Sequence, residues 1–277
     1  MRTIQFLDES TDDYLYLYDL VNRKLYFTDK ICEKYNIPSG VEGIPIESWI
    51  QIVYPKDQKK LEENLSDIQT GYSENHGMEY RLMNWEGKKV WIYCRGAVLK
   101  DRAGRPVFLM GSISEQAMRY KIDALTGFWN FEKFSEDMRK SLKEQNGYFM
   151  VLGIDNFRDI NVKSGRTFGN QLLKKIADLL EHYADGDMML YRLDGDQFAV
   201  DFVEKTEKDV REFYQMIKAE LTNFCTLSAG VVAYARGDNL ERGNIYQYAD
   251  SALERARREK QDAVFLLRNL SEASGQD

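Results

Sequence analysis

Two successive patterns of apolar and polar positions divide the chain. Near the start, Tyr14-Leu15-Tyr16-Leu17-Tyr18-Asp19 and Lys24-Leu25-Tyr26-Phe27-Thr28 are short β-rich runs on either side of Asn22-Arg23. Two such runs about a turn predict a hairpin. A short helix is expected over Ile31–Tyr35. Between Ser48 and Ile68, the residues Trp49, Ile52, Val53, Leu61, Leu65 and Ile68 fall partly at helical spacing, which Pro55 interrupts. Three strands are expected next, over Met78–Asn84, Lys89–Leu99 and Pro106–Ser114. Trp85-Glu86-Gly87 and Asp101-Arg102-Ala103-Gly104-Arg105 supply the turns between them. Two strands, helices, then three strands predict an α+β domain over residues 1–115, an antiparallel sheet with helices on one face.

Residues 116–122 contain neither Gly nor Pro and are expected to form a linker helix. A rigid linker would transmit rotation from one domain to the next. From 123 to 277 the pattern alternates. Helices are expected over Phe131–Glu144, Thr167–Tyr183, Lys205–Leu221 and Asn244–Glu259. The second of these carries Leu172, Leu173, Ile176, Leu179, Leu180 and Tyr183 as one apolar stripe. Strands are expected over Tyr148–Asp155, Thr226–Tyr234 and Ala263–Leu267, with a hairpin formed by Met188–Arg192 and Gln197–Val203 around Asp194-Gly195. The second domain is therefore α+β as well, a mixed sheet flanked by helices.

Charge and composition narrow the function classes. The 277 residues carry a net charge of −7, and the pI is about 5.2. Duplex nucleic acid needs a basic face, so no nucleic-acid partner is expected. No apolar run reaches the roughly 18–20 residues that cross a bilayer, so no membrane span is expected. The opening Met-Arg-Thr-Ile-Gln-Phe-Leu-Asp-Glu-Ser has acids where a secretory leader is apolar. Cys32, Cys94 and Cys225 lie far apart, and His76 and His182 are isolated, which gives no metal-ligand cluster. A cytoplasmic location is expected.

The first domain resembles the PAS family over residues 8–115. The resemblance rests on Ile52-Val53-Tyr54-Pro55-Lys56-Asp57, Glu79-Tyr80-Arg81, Gly87-Lys88-Lys89-Val90-Trp91-Ile92, and Gly104-Arg105-Pro106-Val107 with Gly111. It implies a sensor that binds a small ligand or dimerises, and it leaves the ligand and the signal open. No haem-ligating histidine or flavin-reactive cysteine stands in place. Cys94, within a predicted strand, is expected in the core.

The second domain resembles the GGDEF family of diguanylate cyclases over residues 123–268. Five blocks carry the likeness: Asp123-Ala124-Leu125-Thr126-Gly127-Phe128-Trp129-Asn130, Gly153-Ile154-Asp155-Asn156-Phe157-Arg158-Asp159-Ile160-Asn161, Gly165 with Gly169 and Leu172-Leu173, Tyr191–Phe198, and Ser228–Val231 with Tyr248–Leu253. The resemblance implies the joining of two GTP molecules into cyclic dimeric GMP. In that reaction a 3′-hydroxyl attacks an α-phosphorus while Mg2+ holds the phosphates. It assigns the metal to carboxylates at positions 153 and 196, here Gly153 and Asp196. Asp155, two residues along the strand from Gly153, faces the same way and could substitute.

Measured against the resemblance, other positions differ. Asp194 stands in place of the first glycine of the turn. A like charge ~4 Å from a phosphate repels it by roughly 4 kcal/mol at an effective dielectric near 20. Asp tolerates left-handed backbone, so the turn itself is expected to survive. Gln197 replaces an acid, and an amide neither accepts a proton at neutral pH nor neutralises a metal. Asn161 keeps the guanine-binding Asn. Asn170 replaces an Asp that faces the guanine edge, and Arg166 replaces a His. Arg257 replaces a phosphate-binding Lys, with different donor geometry. Gln261 replaces a phosphate-binding Arg. The product-inhibition motif RxxD reads Asp185 and Met188 at its two defining positions.

The candidate site is therefore Asp196 and Gln197 as catalytic positions, and Asn161, Asn170, Gly195 and Arg257 as nucleotide-binding positions. Asp196 and Asp155 are the metal candidates, with Mg2+ carried by GTP. Three functions fit. The first is a cyclic dimeric GMP signalling protein with a PAS sensor and a catalytically impaired GGDEF module. That module would be regulatory or GTP-binding, acting as a homodimer or with an EAL-type partner. The second is an active diguanylate cyclase with Asp155, Asp194 and Asp196 as unusual metal ligands. The third is an interaction protein that binds no nucleotide. The clustered substitutions favour the first and argue against turnover.

Overall fold

The hairpin predicted at the start is strands β1 (Tyr14–Asp19) and β2 (Lys24–Phe27), paired antiparallel with Tyr16 opposite Phe27. The computed structural model describes residues 11–38, 42–186, 188–237, 242–259 and 264–267. The chain divides into two units, Met1–Tyr120 and Lys121–Asp277.

In the first unit, helix α1 (Asp29–Tyr35) follows the hairpin. The interrupted pattern around Pro55 resolves into two helices, α2 (Ile46–Ile52) and α3 (Pro55–Gln69). Pro55 opens α3, where its missing N–H has no partner to lose and its fixed φ suits a helix start. A two-residue strand, β3 (Ile44–Pro45), was not expected, because two residues carry no periodicity. Strands β4 (Asn75–Met83), β5 (Lys89–Lys100) and β6 (Pro106–Ser114) complete an antiparallel sheet in the order β3-β2-β1-β6-β5-β4.

The segments that carry the PAS resemblance are tied together physically. Arg81 on β4 donates through Nε and Nη2 to the two carboxylate oxygens of Asp57 on α3, at 2.8 and 2.6 Å. Its guanidinium lies 4.3 Å from the Tyr54 ring centroid and 4.8 Å from that of Trp91. The interior is filled. Trp49 Nε1 donates to Tyr80 Oη at 3.2 Å, and the space left beside these rings is about 20 Å³. That is room for roughly one water. Cys94 is buried there, and burial pushes its thiol up to about 12.

The segment after β6 is a single helical turn, α4 (Gln116–Arg119), shorter than the expected helix over 116–122. Ile122 instead bridges antiparallel to Trp129 in the second unit.

The second unit is a mixed sheet of β7 (Gly147–Ile154), β8 (Met188–Arg192), β9 (Gln197–Val203), β10 (Leu227–Tyr234) and β11 (Val264–Leu267), ordered β11-β10-β7-β9-β8. Among the described strands β10 and β11 pair in parallel and the other neighbours antiparallel. Helix α5 (Phe131–Glu144) is capped by Asn130, whose side chain accepts from the N–H groups of Glu132 and Lys133. Helix α7 (Glu207–Leu221) begins with a capping box between Thr206 and Asp209. Helix α8 (Arg242–Glu259) packs on β10 through Ala249, Ala252 and Leu253. Phe149, Phe198 and Phe202 are wholly buried in the sheet, each contributing about 1.5–3 kcal/mol by leaving water.

Helix α6 (Phe157–Tyr183) is ten residues longer at its start than the apolar stripe predicts. It is two helical segments joined at Gly165, whose φ of 82° and ψ of 159° no other residue type adopts easily. The first segment was missed because it lacks a stripe: Val162 on it is 78% exposed.

Candidate functional site

The site forms where β7 ends. Its neighbours are the β8–β9 turn on one side and β10 on the other, with Gly153 opposite both Gln197 and Ser228. The chain turns from β7 into α6 at Asn156, in left-handed backbone at φ 55°, which Asn accepts more readily than most residues. A cleft of about 620 Å³ opens between the start of α6, the β8–β9 turn and α8. Asn161, Gly195, Asp196 and Arg257 all line it, so the structure gathers these sequence candidates at one place. Arg158, Arg166 and Glu254 line it as well. Glu254 was not singled out in the sequence; its spacing of three residues from Arg257 on a helix was the available signal.

The turn keeps its shape through Arg192. Its Nη1 donates to the carbonyls of Gln197 and Asp194 at 2.7 and 3.2 Å, and its Nη2 donates to the carbonyl of Gly195. The guanidinium also lies 4.7 Å from the Phe198 ring centroid. Burial holds the Arg192 pKa below its ordinary value, against the nearby charges of Asp123, Asp196 and Asp194. Gly195 is the left-handed residue of the turn, at φ 49°, and Asp194 has no positive φ. The tolerance of Asp for left-handed backbone is therefore not called upon. Asp194 Oδ1 accepts from the Gly195 N–H at 2.8 Å.

Arg257 reaches from α8 to the end of β7. Its Nη2 donates to Asp196 Oδ2 at 2.5 Å and to the Ile154 carbonyl at 3.3 Å, while Nη1 donates to Glu254 Oε1 at 2.9 Å. Its Nε lies 3.8 Å from Asp155 Oδ1 and makes no hydrogen bond among the described residues. Burial opposes the positive charge, but Asp196 and Glu254 outweigh it and hold the Arg257 pKa above its ordinary value. The guanidinium lies directly over Gly153. A Cβ at that position would overlap Nη2, and would lie 2.9 Å from Cζ and 3.1 Å from Asp196 Oδ2.

Asp155 is buried, and its Oδ1 accepts from Ser228 Oγ at 2.8 Å. Gln197 is turned towards α8. Its Nε2 donates to Asp250 Oδ1 at 2.7 Å, and its Oε1 accepts from Tyr246 Oη at 2.8 Å. Both ends of the amide are thus engaged away from the cleft. Asn161 packs against Gly169, where a Cβ would overlap its Oδ1. Asn170 is exposed and does not line the cleft. Asp185 pairs with Lys205 Nζ at 2.6 Å. Gln261 lies outside the described residues.

Comparison with known proteins gives this geometry its family. Residues 120–263 match the family described as diguanylate cyclase, GGDEF domain. The chain belongs to the GGDEF family. Residues 25–113 match the PAS fold, so a PAS domain precedes the GGDEF domain. The diguanylate cyclase VdcA of Vibrio cholerae is 28% identical over 133 residues, covering 43% of this chain and 39% of that protein. An uncharacterized membrane protein of Staphylococcus saprophyticus is 25% identical over 160 residues, covering 52% of this chain and 45% of that protein. The chain spans about half the length of the curated relatives it matches. Among solved structures, the coiled coil and GGDEF domain of DgcB from Caulobacter crescentus, in complex with c-di-GMP, is similar in fold. It has a TM-score of 0.50 at 21% identity and covers 55% of this chain and 89% of that one. No helix among the described residues is long and apolar enough to cross a membrane.

GGDEF domains generally use Mg2+ with GTP. The residues of this domain do not fit that ion. Gly153 offers no side-chain oxygen, Asp196 Oδ2 is held by a guanidinium, and the described residues include no group of three or more His, Cys, Asp or Glu side chains able to hold a metal. A divalent ion ~4 Å from the Arg257 charge is repelled by roughly 8 kcal/mol at an effective dielectric near 20. It would also have to displace the Asp196–Arg257 pair to gain its first carboxylate.

Proposed function

We propose that this PAS–GGDEF protein of cyclic dimeric GMP signalling is impaired as a cyclase, and that its GGDEF domain serves as a GTP-binding regulatory module. The observation that carries the reading is the Arg257 guanidinium lying over Gly153 and paired with Asp196. The position the family reserves for a metal carboxylate has no side chain, and a fixed positive charge fills its space.

The rest of the cleft supports nucleotide binding. Asn161 offers an amide to a guanine edge, with both donor and acceptor. The first turn of α6 leaves backbone N–H groups beside the cleft, where phosphate oxygens are favoured. Turnover asks for more. The attacking 3′-hydroxyl must lose a proton as pyrophosphate leaves, and Gln197, locked between Asp250 and Tyr246, has no basic atom to take it. The PAS domain would supply the signal, and the output would pass to a second copy or to an EAL-type partner. A cytoplasmic location goes with this reading.

Incubation with GTP and Mg2+ or Mn2+, followed by nucleotide chromatography, tests the proposal. Unconverted GTP is the expected result, and robust formation of cyclic dimeric GMP would refute it. Calorimetry with GTP separates a binding module from a purely structural one, since only the former releases heat saturably.

A further inference from the structure

We infer that Arg257 has taken the place of the divalent cation, and that this cleft binds the phosphates of a guanine nucleotide without a metal ion. The inference rests on the nucleotide-binding reading above and specifies its chemistry.

Three observations lead to it. First, Gly153 and Arg257 are sterically coupled: the guanidinium occupies the volume that any side chain at 153 would enter. Second, the guanidinium sits between carboxylates. Asp196 is 2.5 Å from Nη2, Glu254 is 2.9 Å from Nη1 and Asp155 is 3.8 Å from Nε. A cation among carboxylates at the end of β7 is what a metal site requires, and here the cation is covalently part of the chain. Third, donors remain. Nη1 carries two N–H groups and gives one to Glu254, which leaves one for a phosphate oxygen where Arg257 lines the cleft, whereas Nε is buried beside Asp155. Arg158 and Arg166 line the same cleft and are exposed, so two further cations face an incoming anion.

Arginine differs from Mg2+ in ways that matter for chemistry. It neutralises charge and fixes orientation by hydrogen bonding. It does not bind a water or a hydroxyl as a Lewis acid, so it does not ready one for attack. A cleft built this way holds a nucleotide and leaves it unreacted.

Calorimetry on the full chain tests the inference, with GTP titrated in EDTA and again in excess MgCl2. The dissociation constants should agree within about twofold, and Arg257→Ala should weaken binding at least tenfold in both buffers. Binding that requires Mg2+ would overturn the inference while leaving the nucleotide-binding reading standing. Binding in neither buffer would overturn both. A double-variant cycle read by thermal melting needs no nucleotide. Gly153→Ala should lower the melting temperature in the native background and much less in the Arg257→Ala background. Additive losses would show that the guanidinium does not occupy the space over Gly153, and the inference would fall. Should Arg257→Ala not fold, Arg257→Lys serves in both experiments, because its single ammonium lacks the fork and vacates part of the space.

Discussion

Arg257 and Asp196 approach to 2.5 Å across the end of β7, and each side chain is 22% exposed. The pair is thus shielded from water without being cut off from it. Its contribution should lie between that of a surface pair and that of a fully buried one. Asp196→Ala removes one of the two carboxylates hydrogen-bonded to a half-enclosed guanidinium, and a loss of about 1–3 kcal/mol is expected. Urea unfolding of the variant against the native chain measures it. The loss should shrink little in 1 M salt, because a shielded pair is poorly screened.

Arg192 gathers the carbonyls of Asp194, Gly195 and Gln197 beneath the turn. Arg192→Ala removes the guanidinium donors, leaving the Asp194 and Gln197 carbonyls only their backbone N–H partners, and removes the cover from Phe198. A destabilisation of about 2–4 kcal/mol is expected, concentrated in the hairpin. Hydrogen exchange should show faster exchange of the Gly195 and Gln197 amides, with the PAS domain unchanged.

Asp201, on β9, is buried between Ser141 Oγ at 3.1 Å and Tyr234 Oη at 2.7 Å, and burial pushes its carboxyl up to about 7. Its folded-state pKa lies above the unfolded value of 3.8. The folded state therefore binds more protons between those values, and stability falls as pH rises from about 4 to 7. Asp201→Asn removes the cost of ionisation. The variant should melt higher than the native chain at pH 8 and nearly with it at pH 4, as differential scanning calorimetry across that range would show.

Cys32 and Cys94 are buried and Cys225 is half-buried. Burial raises the thiol pKa of both Cys32 and Cys94. Reaction with a thiol reagent at pH 8 should modify Cys225 first. The other two should react only after unfolding, since the thiolate is the reactive form. Counting modified thiols by mass spectrometry checks this.

Much of the architecture is legible in the sequence, because period carries it. The stripe Leu172, Leu173, Ile176 and Leu180 is buried as the 3.6-residue spacing requires, and the hairpin around Asp194-Gly195 forms where the turn residues stand. The start of α6 was not legible. Of its residues from Phe157 to Ser164, Phe157 and Ile160 pack against the core while the others line the cleft or are exposed, and two apolar contacts make no stripe. At the site, the absence of a side chain at Gly153 is plain from the residue alone. That Arg257 fills the gap is not, because 104 residues separate the two positions and only the packing of α8 on β7 and β10 brings them together. The tie between Gln197, Asp250 and Tyr246 was hidden for the same reason.

The overlap at Gly153 also works as a ratchet. A side chain introduced at 153 alone collides with the guanidinium. Shortening Arg257 alone removes the cation that lies beside both Asp155 and Asp196. Either single change costs the guanidinium its contacts with Asp196, Glu254 and the Ile154 carbonyl, because Arg257 must swing aside or is gone, and the paired change costs them only once. Positions 153 and 257 are therefore expected to tolerate change together more readily than one at a time.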